Sequence, residues 1–236
     1  MTQKTSIILC TFNEVNFIEE AVNELKKNIP DPEIIIVDDN STDGTKDVIK
    51  KINYDNKLKV IFRNKSLGLA SAFLCGLIHS TGNYVGWIDT NMAELAPKFK
   101  MMDNLLGSEN DIVILSRYVD GGGDERNILR FLSSKYFNIF CGLIYRQPIK
   151  DYTTSIFLMK RSVVNEVTFL GYGHGEFFIE FLYNAYKKGF KIKEVPFIQR
   201  KDKDIGTSKS APNLIKFFYL SFIYFLRVFI SLIRRN

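Results

Sequence analysis

The run Ile34-Ile35-Ile36-Val37 ends abruptly in Asp38-Asp39-Asn40-Ser41-Thr42-Asp43-Gly44-Thr45, a junction of residue types that can do chemistry. Four β-branched residues in a row read as a strand buried on both faces, and the acids, hydroxyls and glycine that follow end it. An open α/β sheet binds its ligands beyond the carboxyl ends of its strands, which places Asp38 and Asp39 at a site. Their short carboxylates suit hydrogen bonds to a ribose or to the edge of a base. The same residues also describe a plain strand, turn and helix cap, with Asp43 opening the next helix. The grammar recurs upstream, where Ser6-Ile7-Ile8-Leu9-Cys10 runs into Thr11-Phe12-Asn13-Glu14. It recurs again downstream, where Tyr84-Val85-Gly86-Trp87-Ile88 runs into Asp89-Thr90-Asn91-Met92.

The elements that must position these junctions alternate along the first half of the chain. Strands are expected over 6–10, 33–37, 59–62, 84–88 and 111–115, with helices over 15–27, 43–52 and 67–80. That alternation argues for a mostly parallel sheet with helices on both faces. The second half is less regular. After the glycines at 121–123 it reads as a helix near 127–145, a strand near 155–159, a helix near 177–187 and a strand over 191–195 closed by Pro196. No linker composition interrupts the chain. One domain is expected over 1–210, in two halves, 1–115 and 116–210, followed by a membrane-associating helix over 211–236.

Taken together, SIILCTFNE and IIIVDDNSTDGT resemble the opening of the family 2 glycosyltransferases. The chain looks most like the dolichol-phosphate mannose synthase branch, which moves a sugar from a nucleotide onto a polyprenyl phosphate. The resemblance implies a GT-A-like nucleotide-binding fold, with 1–115 as its nucleotide-sugar-binding half and 116–210 as its acceptor-binding half. It also implies that Thr11, Asn13, Glu14, Asp38 and Asp39 hold the nucleoside, and that Asp89 and Asn91 hold a divalent cation, Mg²⁺ or Mn²⁺, on the donor diphosphate. A hard cation with oxygen ligands neutralises the charge that develops as the donor bond breaks. Asn91 departs from the family's Asp-x-Asp, because an amide oxygen coordinates without bringing charge; Ala93 stands where the branch often has Gln, with Glu94 next to it. The segment from Arg63 to Ala70 resembles the family's R-N-x-x-x-G-L-x-x-A, in which Gly68 fits both close ligand approach and helix packing.

The acceptor side is read from further motifs. Ser116-Arg117-Tyr118 matches an S-R-Y motif, and a guanidinium fork there suits an acceptor phosphate. Arg130, Ser134 and Lys135 are implied to join it from the next helix. Asp151-Tyr152-Thr153-Thr154-Ser155 resembles D-x-T-S-G, with Thr154 at the serine and Ser155 at the glycine, so Asp151 would face the reacting sugar or orient an arginine. Glu180 matches the acid of an F-x-x-E helix, while His174 reads as an ordinary loop residue. The segment 200–209 resembles R-x-x-G-x-S-K, with Arg200 three residues early and Lys203 at the arginine position, in a loop expected to order over the substrates. The implied catalytic set is Asp89, Arg117 and Asp151.

Composition narrows the partners. Hydrophobic residues at 46% and charged residues at 25% describe a globular chain of 236 residues, and the net charge of +6 admits nucleic acid, anionic lipid or a phosphorylated ligand. The absence of a basic recognition element argues against nucleic acid. Cys10, Cys75 and Cys141 have no CxxC spacing and read as buried thiols in a reducing compartment. The first strand starts within five residues with no leader before it, so the expectation is a cytoplasmic protein held peripherally or in-plane at the cytoplasmic face of a membrane. The segment 214–233 is almost wholly apolar but carries Lys216 and Arg227, with Arg234 just after it. At 100° per residue these three fall on one narrow stripe, which suits a helix lying in the membrane interface with its cations at the headgroups. Two other readings stay open: transfer to a sugar hydroxyl of a polysaccharide, and a non-catalytic nucleotide-sugar binder or scaffold.

Overall fold

The computed structural model describes residues 4–52, 57–201 and 214–234. Among these residues seven strands form the central sheet in the order β3-β2-β1-β4-β7-β5-β8. The first four are β1 (Thr5–Thr11), β2 (Glu33–Asp38), β3 (Leu58–Phe62) and β4 (Tyr84–Trp87), all mutually parallel. The remaining three are β5 (Ile112–Ser116), β7 (Phe157–Lys160) and β8 (Ile192–Pro196). β7 is antiparallel to both β4 and β5, while β5 and β8 pair in parallel. A second sheet is a two-residue pairing of β6 (Gly123–Asp124) with β9 (Ile198–Gln199). The expected architecture, a mostly parallel sheet flanked by helices, is what forms.

Period-2 alternation explains why the strand runs are apolar throughout. Ile8, Ile35 and Val37 enter the core on one face; Ile7, Leu9, Ile34 and Ile36 enter the core on the other. The second of these cores is closed by α1 (Ile18–Asn28), whose Ile18, Ala21, Val22 and Leu25 recur at helical spacing. It is also closed by α4 (Lys98–Ser108), an element the sequence reading left empty although Phe99, Met102 and Leu106 are spaced for it. The first core receives α3 (Leu69–His79), α5 (Ile128–Tyr145) and α7 (Glu176–Lys187), and much of the chain's aromatic content. Phe157 stacks on Phe178 at 4.3 Å and Trp87 on Phe177 at 5.6 Å. A Cβ on Gly76 would lie 2.5 Å from Ile8 Cγ2, so glycine there lets α3 approach the sheet. Shorter helices, α2 (Thr45–Lys51) and α6 (Arg161–Glu166), complete the layers.

The last helix, α8 (Leu214–Ile233), has the expected bounds but a different orientation from the one expected. Arg227, on the supposed headgroup stripe, is 5% exposed and lies 3.2 Å from Glu180 Oε2 and 3.7 Å from Glu176 Oε1. Arg234 Nη1 pairs with Glu180 Oε1 at 3.3 Å. The Lys216 side chain lies outside the described residues. The two arginines turn inward because Glu176 and Glu180, four apart on α7, offer counter-charges that cost less than a lone buried cation. α8 also packs along α5, with Phe225 5.1 Å from Phe137 and 5.0 Å from Phe140. What α8 leaves outside is its apolar remainder, Phe222 at 65% exposure among it. Among the described residues no helix is long and apolar enough to cross a membrane.

Candidate functional site

The chain leaves β1 for β2 on one side and reaches β4 on the other, so the carboxyl ends of β1 and β4 flank a topological switch point. A cavity of about 530 Å³ opens there. By the strand order of the sheet, Thr11, Glu14, Asp39, Asp89 and Asn91 line it from the loops after β1, β2 and β4 at one end; Arg117, after β5, marks the other end, where Arg126 and Arg130 also line it, and Thr153, Thr154 and Ser155 enter β7 between. Because β7 is reversed, the residues that enter it, rather than leave it, reach this edge of the sheet.

The acids at the donor end differ sharply in what they touch. Asp38 is fully buried, accepts from Ser41 N at 3.0 Å and Thr11 Oγ1 at 3.2 Å, and does not line the cavity. Asn13 likewise clasps the loop: its Oδ1 accepts from Thr42 N at 2.9 Å, while its own N donates to Ser41 Oγ. Asp39 reaches the cavity, yet its oxygens accept from Ser66 Oγ (2.8 Å), Leu67 N (3.0 Å) and Gly68 N (2.9 Å), with Arg63 Nη1 at 3.0 Å. Gly68, at φ +90°, has its N–H committed to that carboxylate and not to a ligand. The nucleoside readings of Asp38, Asn13 and Gly68 therefore meet side chains and an amide already engaged in bracing two loops.

Asp89 is the exception. Burial raises its carboxyl to about 6, and the negative charge of Glu14 adds to the rise, against a hydrogen bond from Ser155. A half-buried acid beside a second acid is the arrangement a cation relieves. Asp89 and Asn91 offer hard oxygens that fit Mg²⁺ or Mn²⁺. Among the described residues no three His, Cys, Asp or Glu gather round one point. The set therefore fits an ion shared with diphosphate oxygens better than one caged by protein alone.

At the other end Arg117 is buried, and its fork is spent on Asp151: Nε donates to Oδ2 at 2.8 Å and Nη2 to Oδ1 at 2.7 Å. Nη2 also donates to Thr153 Oγ1 at 2.6 Å, and Nη1 lies 3.6 Å from Asp124. The bidentate face expected for an acceptor phosphate thus belongs to a carboxylate, and Asp151 takes the second of its two expected roles, orienting an arginine. Asp124 in turn holds Arg126, whose Nη2 is 2.6 Å away. Arg126 was missed by sequence reasoning, although the Asp-Glu-Arg after the glycines was its signal. Arg130, on the first turn of α5, lines the cavity. Ser134 Oγ meets Thr153 Oγ1 at 3.4 Å. Lys135, expected on the same face, lies over Phe131 and lines a separate cavity of about 560 Å³ together with Lys150. Arg200 is exposed away from the cavity, and Lys203 lies outside the described residues. His174, read from the sequence as an ordinary loop residue, lines the cavity, and so does Tyr224, which nothing in the local sequence marked.

The model of the family described as glycosyl transferase family 2 matches residues 6–168. Dolichol-phosphate mannosyltransferase of Pyrococcus furiosus is 31% identical over 200 residues, 82% of this chain and 56% of that protein. Polyprenol monophosphomannose synthase of Mycolicibacterium smegmatis is 26% identical over 227 residues, 91% of this chain and 84% of that protein. The chain thus spans little more than half the length of the first relative and most of the second. In fold it is similar to glucosyl-3-phosphoglycerate synthase from Mycobacterium tuberculosis, solved in complex with Mn²⁺, uridine diphosphate and phosphoglyceric acid. That likeness has a TM-score of 0.73 at 16% identity, covering 97% of this chain and 78% of the other.

Proposed function

Because this chain belongs to glycosyl transferase family 2, we propose that it moves a sugar from a nucleotide-diphosphate sugar to a polyprenyl phosphate, with inversion at the anomeric carbon. The observation that carries the reading is the polarity of one cavity, with Asp89 and Asn91 at one end and Arg117, Arg126 and Arg130 at the other. A diphosphate leaving group suits the first end and an anionic acceptor the second. The relatives named for dolichol-phosphate and polyprenol phosphate mannosyl transfer support that acceptor class.

The nucleophile is a lipid phosphate oxygen, ionised at neutral pH. It attacks the anomeric carbon from the face opposite the diphosphate, the new carbon–oxygen bond forms as the old one breaks, and the nucleoside diphosphate leaves. Such an acceptor needs positioning and charge screening, and no base to remove a proton. Asp89 and Asn91 would hold a divalent cation, which when bound neutralises the charge growing on the leaving group. Arg130 and Arg126 face the acceptor phosphate, and Arg117, fixed by Asp151, sets the positive potential behind it. The apolar faces that α5 and α8 turn outward, with Leu132, Tyr136 and Leu143 on the first and Phe218, Phe222 and Phe229 on the second, support contact with a bilayer, where such a lipid resides.

Transfer to a sugar hydroxyl would need a base. Two acids of the second half, Asp151 and Glu180, are candidates for it, but Asp151 is paired with Arg117 and Glu180 with two arginines, so neither is placed to accept a proton. The deciding experiment incubates the purified protein with polyprenyl phosphate and a panel of radiolabelled nucleotide sugars, with and without Mn²⁺. Label extracted into the lipid phase supports the reading. Label found only in free sugar or oligosaccharide rejects it.

A further inference from the structure

α8 does more than cover the core. Tyr224, one turn before Arg227, lines the same cavity as Asp89, Arg117 and Ser155, and its ring meets Phe137 edge-on at 5.9 Å. Gly175 keeps the tyrosine in place: a Cβ added there would lie 2.6 Å from Tyr224 Oη. The loop carrying Gly175 is clamped from three sides. Gly173 O accepts from Ala70 N at the start of α3 at 3.3 Å, Glu176 Oε2 accepts from His174 N at 2.8 Å, and Arg227 holds Glu176 from α8. His174 and Gly175 both line the cavity. Trp87 lines it too, and its Nε1 is buried with no hydrogen-bond partner among the described residues.

We propose that Tyr224 is a sugar-recognising residue, its hydroxyl hydrogen-bonding the hexose carried by the donor, so that α8 forms one wall of the donor-sugar subsite. The inference rests on the donor reading given above. Between Asp89 at the diphosphate end and the arginines at the acceptor end lies the space the transferred sugar must occupy, and Tyr224 stands beside it. Burial first and then the charge of Glu176 raise its phenol from the ordinary value, with Asp89 adding to the rise, against a hydrogen bond from the Gly175 backbone N–H and the charge of Arg117; the hydroxyl stays protonated, its oxygen accepting from Gly175 while its proton can be donated. A protonated phenol fixed by packing is a directional partner for a ring hydroxyl, and such pairs discriminate sugars because the unmatched epimer leaves a buried polar group unpaired.

A chain shortened before α8 loses a wall of the donor cavity and the partner of Glu176, so donor binding is not confined to the front half.

The test is calorimetric binding, by the full chain, of UDP and GDP and of their glucose, galactose and mannose conjugates. Tyr224→Phe keeps the ring and its packing, and is expected to weaken the best-bound conjugate about tenfold while leaving the parent diphosphate within about twofold, the loss typical of one hydrogen bond. Gly175→Ala, at an ordinary φ of −78°, should displace the hydroxyl and reproduce the pattern without removing it. A structural role alone would lower both affinities together along with the melting temperature, and that outcome overturns the proposal, as does an unchanged affinity for the conjugate. Failure of the wild-type chain to bind any conjugate overturns the donor reading itself, and this inference with it.

Discussion

Two acids at opposite ends of the sheet, Glu33 and Asp89, are handled in opposite ways. At the amino-terminal end Glu33 accepts from Ser6 Oγ at 2.5 Å, Lys59 Nζ at 2.8 Å, Thr81 N at 2.7 Å and Thr81 Oγ1 at 2.8 Å. Burial alone would raise its carboxyl, but these donors outweigh burial and hold it at about 2. At the carboxyl end Asp89 has Ser155 as a donor, a second acid nearby, and a carboxyl raised to about 6. A saturated acid is a fastener. An acid left short of donors is one that stands ready for a ligand, and the contrast separates scaffold from site more clearly than burial does.

Asp89→Ala tests the comparison hardest. Transfer should fall about a thousandfold, since no acid at position 91 replaces the charge, as measured by kcat/KM with saturating cation. Activity within a few-fold of wild type would end the claim that this acid is functional.

Next in size is Asp151→Ala, which leaves the Arg117 guanidinium buried without its main partner. Urea unfolding should show a loss of about 3–5 kcal/mol, and a loss below about 1 kcal/mol would mean that water reaches the arginine.

Glu33→Gln should cost about 2 kcal/mol at pH 7. Its folded-state carboxyl lies below the ordinary value of 4.5, so the stabilisation is complete above that pH and disappears as pH falls through about 2. Melting curves of the two proteins should converge in acid.

Smallest and opposite in sign is Asp89→Asn in the presence of a chelator. A carboxyl raised from 3.8 to about 6 stabilises the fold below the lower value and loses that contribution as pH rises through the upper one. The neutral variant should therefore melt higher than wild type at pH 8, by about 1–2 kcal/mol, and equally at pH 3.5. A variant that is less stable at pH 8 would show that Asp89 is fastened like Glu33.

The strand–acid junctions were legible because they are local: a β-branched run, then acids and a glycine, announces the end of a buried strand within a dozen residues. Partners were not legible. Asp39 is satisfied by Leu67 and Gly68, Arg117 by Asp151, and Arg227 by Glu180, each at long range along the chain. A cation inside an apolar helix has two physical solutions, exposure at a headgroup or burial against a counter-ion. The helix's own sequence does not choose between them; the choice lay in the spacing of Glu176 and Glu180. The α4 helix was missed for a simpler cause, a weak apolar pattern over 98–108 between two stronger strand signals.

The reversed strand carries one more implication, for the order in which the chain can be built. β1 to β4 find one another within the first ninety or so residues, whereas the outer edge of β4 waits for β7, and β5 pairs with β7 and β8, which follow it by roughly forty and eighty residues. A nascent chain that has passed Ser116 but not reached Phe157 holds an orphan strand and an open β4 edge, an invitation to mispairing that ends only when β7 slots between them.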